Sequence, residues 1–297
     1  MKKEEHVTSP GEKINTAAKA FLKEFAIVFG AFLVLNSFVL ASFEVPTGSM
    51  ENEIMTGDFL LVNKFVFGGT TPKTIPFTTQ RIPSFKLPAF WRVERGDVIV
   101  FSFPGNRDEV EPPEFAYYLK RCIGIAGDTV QVKDKVVYVN GKMATVPRNV
   151  KFINNFTKPQ GYAEPKIFPR GSAFNEDNYG PIVIPKKGDV VTLTPDNFYT
   201  WEIFIRREGH AASMRNGVIS VDGVEVKNYA VGRDYVFGMG DNRDNSLDGR
   251  FWGFIPEESV VGTPLIVYWS WDPDLPLFDL KDKLASVRLT RIGTLVR

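Results

Sequence analysis

The longest apolar stretch of the chain lies near its N-terminus. No charged residue occurs from Phe25 to Phe43, and the only clearly polar interruptions are Asn36, Ser37 and Ser42. As an α-helix at 1.5 Å per residue, these 19 residues would span about 28 Å, close to the roughly 30 Å of a bilayer's hydrocarbon core. The pattern predicts a membrane-spanning helix over residues 25–43.

The charges that flank this helix predict its orientation. Three lysines, Lys13, Lys19 and Lys23, precede it, whereas no Lys or Arg occurs from Glu44 to Asn63. Because Lys and Arg are retained on the cytoplasmic side of a membrane span, the N-terminus should be cytoplasmic. The predicted parts are a cytoplasmic segment, an anchor and an extracytoplasmic domain, over residues 1–24, 25–43 and 44–297.

Two other interpretations fit this segment less well. A cleaved signal peptide would agree with the small residues around Val39-Leu40-Ala41, but its apolar region normally has roughly 7–15 residues. A buried core helix should show a polar face, and none is visible. We therefore expect a retained anchor.

Beyond residue 44 the apolar positions come in short runs separated by turn formers, a pattern typical of β-strands. Asn140-Gly141 and Asp222-Gly223 each follow such a run and indicate hairpins. The fold class should be mainly β, with antiparallel sheet after the anchor. The runs are Phe59–Val62, Val98–Phe101, Tyr117–Ile125, Val136–Val139, Val218–Val221 and Leu265–Trp271.

Two regions depart from this simple pattern. Residues 149–180 are polar and rich in turn formers, so we expect an insertion or a long loop there, within a variable region around residues 140–235. The tail Arg288–Gly293 is expected to add a last edge strand.

Composition and charge narrow the possible functions. The 36 basic and 35 acidic residues nearly cancel, so no bulk electrostatic attraction for nucleic acid is expected. The single cysteine, Cys122, cannot form a disulfide within the chain. The 25 Phe, 25 Gly and 20 Pro residues agree with many strands and turns.

A candidate nucleophile lies just beyond the apolar segment, in Thr47-Gly48-Ser49. A serine hydroxyl is a poor nucleophile unless a base removes its proton. The only histidines are His6, on the far side of the predicted membrane, and His210, and no Gly-x-Ser-x-Gly motif occurs. An ordinary turn without chemistry is the alternative at this position.

Metal chemistry has no complete motif in the chain. Asp244-x-Ser246-x-Asp248-Gly249 begins like a calcium loop, but Ile255 occupies its twelfth position, where a bidentate Glu belongs. No His-Glu-x-x-His motif occurs. We expect no metal and no cofactor.

Lys120 is the candidate base. In a strand it shares a face with Tyr118 and Cys122, whereas Arg121 points to the other face, where substitution should be mild. Burial among apolar neighbours favours a neutral lysine, which can accept a proton. The alternative is an edge-strand lysine that prevents aggregation.

Four stretches, in this order after an N-terminal anchor, resemble the conserved boxes of type I signal peptidases, the bacterial leader peptidases. They include Pro46-Thr47-Gly48-Ser49-Met50 and Tyr118-Leu119-Lys120-Arg121-Cys122, and together they cover 60 of 297 residues. The four stretches are Phe43–Val62, Arg95–Phe101, Tyr118–Gln131 and Gly238–Pro256.

The resemblance implies a membrane-bound serine endopeptidase with a signal-peptidase-type β-rich catalytic domain in the cell's inner membrane. Its partners would be the lipid bilayer and preproteins cut after small residues, at Ala-x-Ala sites. By position, Ser49 would be the nucleophile, Lys120 the general base, Thr47 the side-chain oxyanion donor and Ser246 the hydroxyl that orients the lysine.

The resemblance also implies substrate contacts and structural ion pairs. Shallow apolar pockets would be lined by Phe43, Val45, Pro46, Tyr118 and Leu119. The substrate would lie extended beside residues 44–46 as an added strand. Two ion pairs would hold the last box in shape, Asp248 with Arg250 and Arg243 with Asp244.

The chain departs from the family's pattern directly after the nucleophile. Many relatives have Met-x-Pro-Thr-Leu there, whereas here Met50 is followed by Glu51-Asn52-Glu53-Ile54. Without the proline we expect a less constrained turn. Glu51 and Glu53 should add negative charge that raises the pKa of Lys120.

Two other functions also compete with this interpretation of the sequence. One is a membrane-anchored extracytoplasmic β-domain that binds ligands and has no catalytic role. The other is a self-cleaving repressor-type Ser-Lys protease, against which the anchor and the lack of a DNA-reading helix argue. A meeting of Lys120 and Ser246 with Ser49 in space would favour the peptidase.

Overall fold

The computed structural model of the chain describes residues 10–71, 80, 82–276 and 278–297. The helices in these ranges are α1 (Pro10–Phe38), α2 (Phe198–Arg207), α3 (Gly249–Trp252) and α4 (Leu280–Ala285). The strands are β1 (Leu40–Glu44), β2 (Asp58–Asn63), β3 (Val98–Ser102), β4 (Tyr117–Gly124), β5 (Thr129–Lys133), β6 (Val136–Val139), β7 (Lys142–Met143), β8 (Tyr179–Val183), β9 (Val190–Thr192), β10 (Ala212–Arg215), β11 (Val218–Val221), β12 (Val224–Glu225), β13 (Asn228–Ala230), β14 (Tyr235–Met239), β15 (Ile255–Pro256) and β16 (Val260–Ser270).

The largest sheet has seven strands in the order β1-β2-β16-β3-β4-β14-β15, and every neighbouring pair is antiparallel. Side chains of β3 are buried on both faces. Val98 and Val100 join one apolar cluster, and Ile99 and Phe101 join another. The sheet is therefore covered on both sides at β3, and the side chains of β4 are also buried from Lys120 onward. A polar side chain in this part of β4 enters a dry environment whichever way it points.

Smaller sheets come from the central part of the chain. The strands β7-β6-β5-β8 form an antiparallel sheet, β10-β11-β12 form another, and β13 pairs with β9. The two predicted hairpins are confirmed. In the first, Asn140 and Gly141 both adopt positive φ (53° and 75°), as a two-residue turn between twisted strands requires.

The C-terminal end of the predicted membrane span is wrong. The helix α1 ends at Phe38, and residues 40–44 form β1, whose backbone pairs with β2 from Leu40 opposite Asn63 to Glu44 opposite Phe59. In the described part of the chain, no helix is both long and apolar enough to cross a membrane.

Two further differences concern the later part of the chain. The amphipathic helix α2 was not predicted; it buries Phe198, Phe204 and Ile205 in the core of the central region. The predicted edge strand over Arg288–Gly293 is also wrong, because Leu289–Arg291 is a short 3₁₀ helix. The residues after this helix do contact β16, through an isolated bridge between Ile266 and Leu295 and nearby backbone hydrogen bonds.

Candidate active site

The candidate nucleophile lies in a short 3₁₀ helix, Gly48–Met50, that follows β1. Asn242 holds this turn from the other end of the chain. Its backbone N–H donates to Ser49 O at 3.1 Å, and its side-chain amide donates to Gly48 O at 3.1 Å. Met50 and Ile54 are buried beneath the turn, so Ser49 lies on a packed and hydrogen-bonded platform.

Lys120 lies on β4, and its Nζ is 2.7 Å from Ser49 Oγ although the two residues are 71 positions apart. The ammonium also donates to the Leu119 carbonyl at 2.9 Å. The side chain is almost fully buried, with 3% of its surface exposed. The aromatic rings of Tyr118 and Trp252 lie 5.7 and 5.8 Å from Nζ.

Burial lowers the pKa of Lys120 from 10.5 to about 8, because desolvation disfavours its charged form. The carboxylates of Asp248 and Asp241 oppose this shift, and the Arg250 guanidinium supports it. At pH 7, one unit below this pKa, about a tenth of the lysine is therefore neutral. Glu51 and Glu53, which from the sequence are expected to raise this pKa, are not among the groups that mainly set it.

Glu51 and Glu53 are engaged elsewhere. Glu51 pairs with Lys151 at 2.8 Å, and Glu53 accepts from the Asn149 side chain and from the backbone N–H of Arg297. The turn after the nucleophile is thus held by an ion pair and hydrogen bonds, although it lacks the family's proline.

The predicted pair of Asp248 and Arg250 is present and fully buried, with the nearest N–O distance at 2.7 Å. Asp248 also accepts from Gly240 N at 3.0 Å. Although burial opposes it, the Arg250 charge and these hydrogen bonds hold the pKa of Asp248 below its usual value. The pair fixes the loop between β14 and α3.

The predicted pair of Arg243 and Asp244 is wrong. Asp244 instead pairs with Lys135 at 3.0 Å and accepts from two backbone N–H groups, those of Ile153 and Asn154, at 2.7 Å each. Arg243 donates through Nε to Gly240 O at 3.1 Å. The difference arises because Asp244 faces the 149–180 segment, whose position could not be known from sequence.

Ser246 lies beside Gly240 and close to the backbone of Ser49, but it makes no hydrogen bond to Lys120. Its buried Oγ has no partner among the residues that the structure describes. Gly240 explains how closely these loops approach each other, because a Cβ at that position would overlap both Ser246 Oγ and Ser49 O. Only glycine permits this contact.

Thr47 is exposed and extended, with φ −136° and ψ 152°, and its side chain does not cap the helix that follows. Together with Ser49 and Lys120 it lines an open cleft. All the predicted substrate contacts line the same cleft, namely Phe43, Val45, Pro46, Tyr118 and Leu119. Sequence reasoning missed Leu60, Val100, Tyr117, Asn245 and Leu247, which complete the wall.

From the sequence, substitution of Arg121 is expected to be mild, and the surroundings of this residue argue against that expectation. Arg121 does point away from Lys120, but that face is also covered. Its guanidinium forms a buried bidentate pair with Asp241, with N–O distances of 2.6 and 2.8 Å, and donates to Gly96 O at 2.8 Å. Both residues lie in the boxes that carry the resemblance, which is the signal that could have identified the pair.

No group of three or more His, Cys, Asp or Glu side chains in the described ranges is arranged to hold a metal ion. The side chains at the cleft themselves offer a serine hydroxyl beside a partly neutral amine, with the Thr47 hydroxyl nearby.

Known proteins resemble the chain over most of its length. A family described as signal peptidase, peptidase S26, matches residues 18–269. The chain is 28% identical over 295 residues to signal peptidase I of Buchnera aphidicola subsp. Schizaphis graminum, covering 93% of this chain and 82% of that protein. It is 31% identical over 265 residues to signal peptidase I of Pseudomonas aeruginosa, covering 85% and 73%. A solved signal peptidase I from Enterococcus faecalis is 19% identical and covers 59% of this chain and 98% of that one, at a TM-score of 0.29.

Proposed function

From the premise that the chain belongs to the signal peptidase family, peptidase S26, and is a serine peptidase, we propose that it removes signal peptides from exported preproteins with a Ser49–Lys120 dyad. The observation that carries this proposal is the 2.7 Å approach of Lys120 Nζ to Ser49 Oγ. The lowered lysine pKa of about 8 supports it. A binding domain would gain nothing from burying a lysine at this cost.

In the proposed reaction, neutral Lys120 takes the proton of Ser49 as Oγ attacks the scissile carbonyl carbon. The C–N bond then breaks, and the Lys120 ammonium gives its proton to the leaving amine. Water attacks the resulting ester with Lys120 again as base. This step releases the signal peptide's carboxylate and restores the Ser49 hydroxyl.

Thr47 and Ser49 supply the two oxyanion donors in this proposal. The Thr47 hydroxyl borders the cleft without a capping bond to the next helix, and the Ser49 backbone N–H is the second donor. Ser246 orients the lysine amine. The unpartnered Ser246 Oγ, buried beside Gly240, supports this role.

The substrate adds to the sheet beside β1. This strand is the first in the seven-strand order, so its outer edge is available for an extended peptide. The ring of Phe43 packs edge-to-face on Tyr117, with centroids 5.1 Å apart, and narrows one end of the cleft. Such shallow apolar walls favour the small side chains of an Ala-x-Ala site.

Although no described helix is both long and apolar enough to cross a membrane, we further propose that the apolar N-terminal segment anchors the enzyme in the inner membrane, with its N-terminus in the cytoplasm and the catalytic domain outside. The lysines before the apolar stretch support this orientation. Between residues 21 and 35 the helix α1 exposes ten large apolar side chains, as expected of a surface that contacts lipid.

The test is cleavage of a preprotein that carries one Ala-x-Ala site by the purified full chain in detergent. The wild type should cut after the second Ala, and Ser49→Ala should not, while its circular dichroism spectrum stays native. Cleavage by Ser49→Ala near the wild-type rate would overturn the assignment.

A further inference from the structure

The turn that carries Ser49 cannot use the family's proline. Asn52 stands at the position where many relatives have that residue, and its φ is +85°. Proline is locked near −65°, so it cannot adopt this backbone conformation, whereas asparagine tolerates it. The turn must therefore be held by other contacts.

Lys151, from the segment of unassigned role, reaches this turn. Its backbone N–H donates to Asp241 O at 2.8 Å, and its carbonyl accepts from Arg243 N at 2.9 Å, so the segment is fixed to the loop that follows β14. Its Nζ then extends to Glu51 Oε2 at 2.8 Å. Lys151 thus links two loops: its backbone is bonded to the last box, and its ammonium is bonded to the nucleophile turn.

The same Glu51 oxygen accepts from the Asn242 side-chain amide at 3.2 Å. That amide also donates to Gly48 O at 3.1 Å, and the Asn242 backbone holds Ser49 O. Hydrogen bonds therefore connect the Lys151 ammonium through the Glu51 carboxylate to Asn242. Asn242 in turn holds the backbone carbonyls of Gly48 and of Ser49 itself.

We propose that Lys151 is a positioning residue for the peptidase reaction, which acts through Glu51 and Asn242 to hold Ser49 against Lys120. The inference rests on the proposed function. Both charged side chains are about one-third exposed (33% and 36%), and partly exposed ion pairs contribute little to stability. Removal of the pair should therefore lower the rate without unfolding the enzyme.

The test measures single-turnover cleavage of the preprotein with the full chain in saturating excess, which makes the rate constant independent of any inactive fraction. Lys151→Met and Glu51→Gln should each lower the rate about fivefold. The double variant should be no slower than the slower single, because both changes break one interaction. Lys151→Arg should restore the rate. Lys158→Met is the matched control and should leave the rate unchanged. Lys158 pairs with Glu176 at 2.7 Å in the same segment, and none of its described hydrogen bonds or ion pairs reaches the turn.

A wild-type rate for Lys151→Met, or single losses that multiply in the double variant, would overturn the positioning role. So would a loss of the same size in Lys158→Met, because it would indicate a general loosening of the segment. These outcomes are separate from failure of the proposed function, which would appear as an inactive wild type or an active Ser49→Ala.

Discussion

Lys120 and Arg121 are neighbours on β4, and both bury a basic side chain, but only Arg121 has a carboxylate partner in direct contact. Lys120 has a serine hydroxyl and a carbonyl as its hydrogen-bond partners, so burial lowers its pKa to about 8. Arg121 faces the other side, where its guanidinium makes a buried bidentate contact with the Asp241 carboxylate. Because guanidinium does not deprotonate in proteins, only the lysine can exchange a proton with Ser49.

Removing the Arg121 side chain should be costly. Arg121→Met leaves Asp241 buried without its counter-ion, and breaking a buried pair in this way costs about 3–5 kcal/mol. Urea unfolding measures the loss. The exposed i,i+4 pair of Arg206 and Glu202 provides the control, since Arg206→Met should cost under about 0.5 kcal/mol. Equal losses in the free energy of unfolding for the two variants would show that the buried pair stabilises the fold no more than the exposed one.

Thr47 should matter through its hydroxyl. The loss of one oxyanion donor lowers kcat by about 10²–10³. Thr47→Val, which keeps the shape and removes the hydroxyl, should be slowed by this amount, and Thr47→Ser should remain active. Initial cleavage rates of the two variants are the measurement. Similar rates for Val and Ser would assign the donor role to another group.

At the scale of elements, short strands with clear turn signals were predictable and their packing was not. The hairpin at Asn140-Gly141 follows from local chemistry, because both residues tolerate positive φ. The end of α1 at Phe38 does not follow from local chemistry, because residues 40–43 continue the uncharged stretch that forms the helix. Only their pairing with β2 makes them part of a strand. Likewise Asp244 pairs with Lys135, which lies far away in sequence.

The close approach of the loop after β14 to the nucleophile turn gives a prediction at this scale. Gly240→Ala would place a methyl group against Ser246 Oγ and Ser49 O, so one of them must move. We expect most cleavage activity to be lost while the secondary structure stays intact. Gly30→Ala is the control, since no atom lies within 4 Å of the added Cβ. Full activity of Gly240→Ala would show that this contact is not needed.

At the scale of the whole molecule, the site depends on strand order. The sequence motifs indicated which residues take part, but not that β16 would lie between β2 and β3, or that the 149–180 segment would contact the last box. These are long-range contacts with no local signal. The residues of the dyad were therefore predictable from the resemblance, whereas Asn242 and Lys151 required the fold.

Membrane topology is a property of the whole chain. Lysines precede the apolar stretch and are absent directly after it, so the domain from residue 44 onward should face the export side. Protease added outside spheroplasts should digest the bulk of the chain and spare the N-terminal segment. Protection of the bulk would refute this orientation, and a mature N-terminus at Ser42 would identify a cleaved signal peptide.

If Lys120 acts as the base in its neutral form, the pH dependence of kcat/KM should report its pKa. Burial lowers the lysine pKa to about 8, and the neutral form is the active one, so the rate should fall about tenfold per pH unit below that value and level off above it. Lys120→Arg should be inactive across the range. A rate that stays flat from about pH 5 to pH 9, or an active Lys120→Arg enzyme, would mean that Lys120 is not the base.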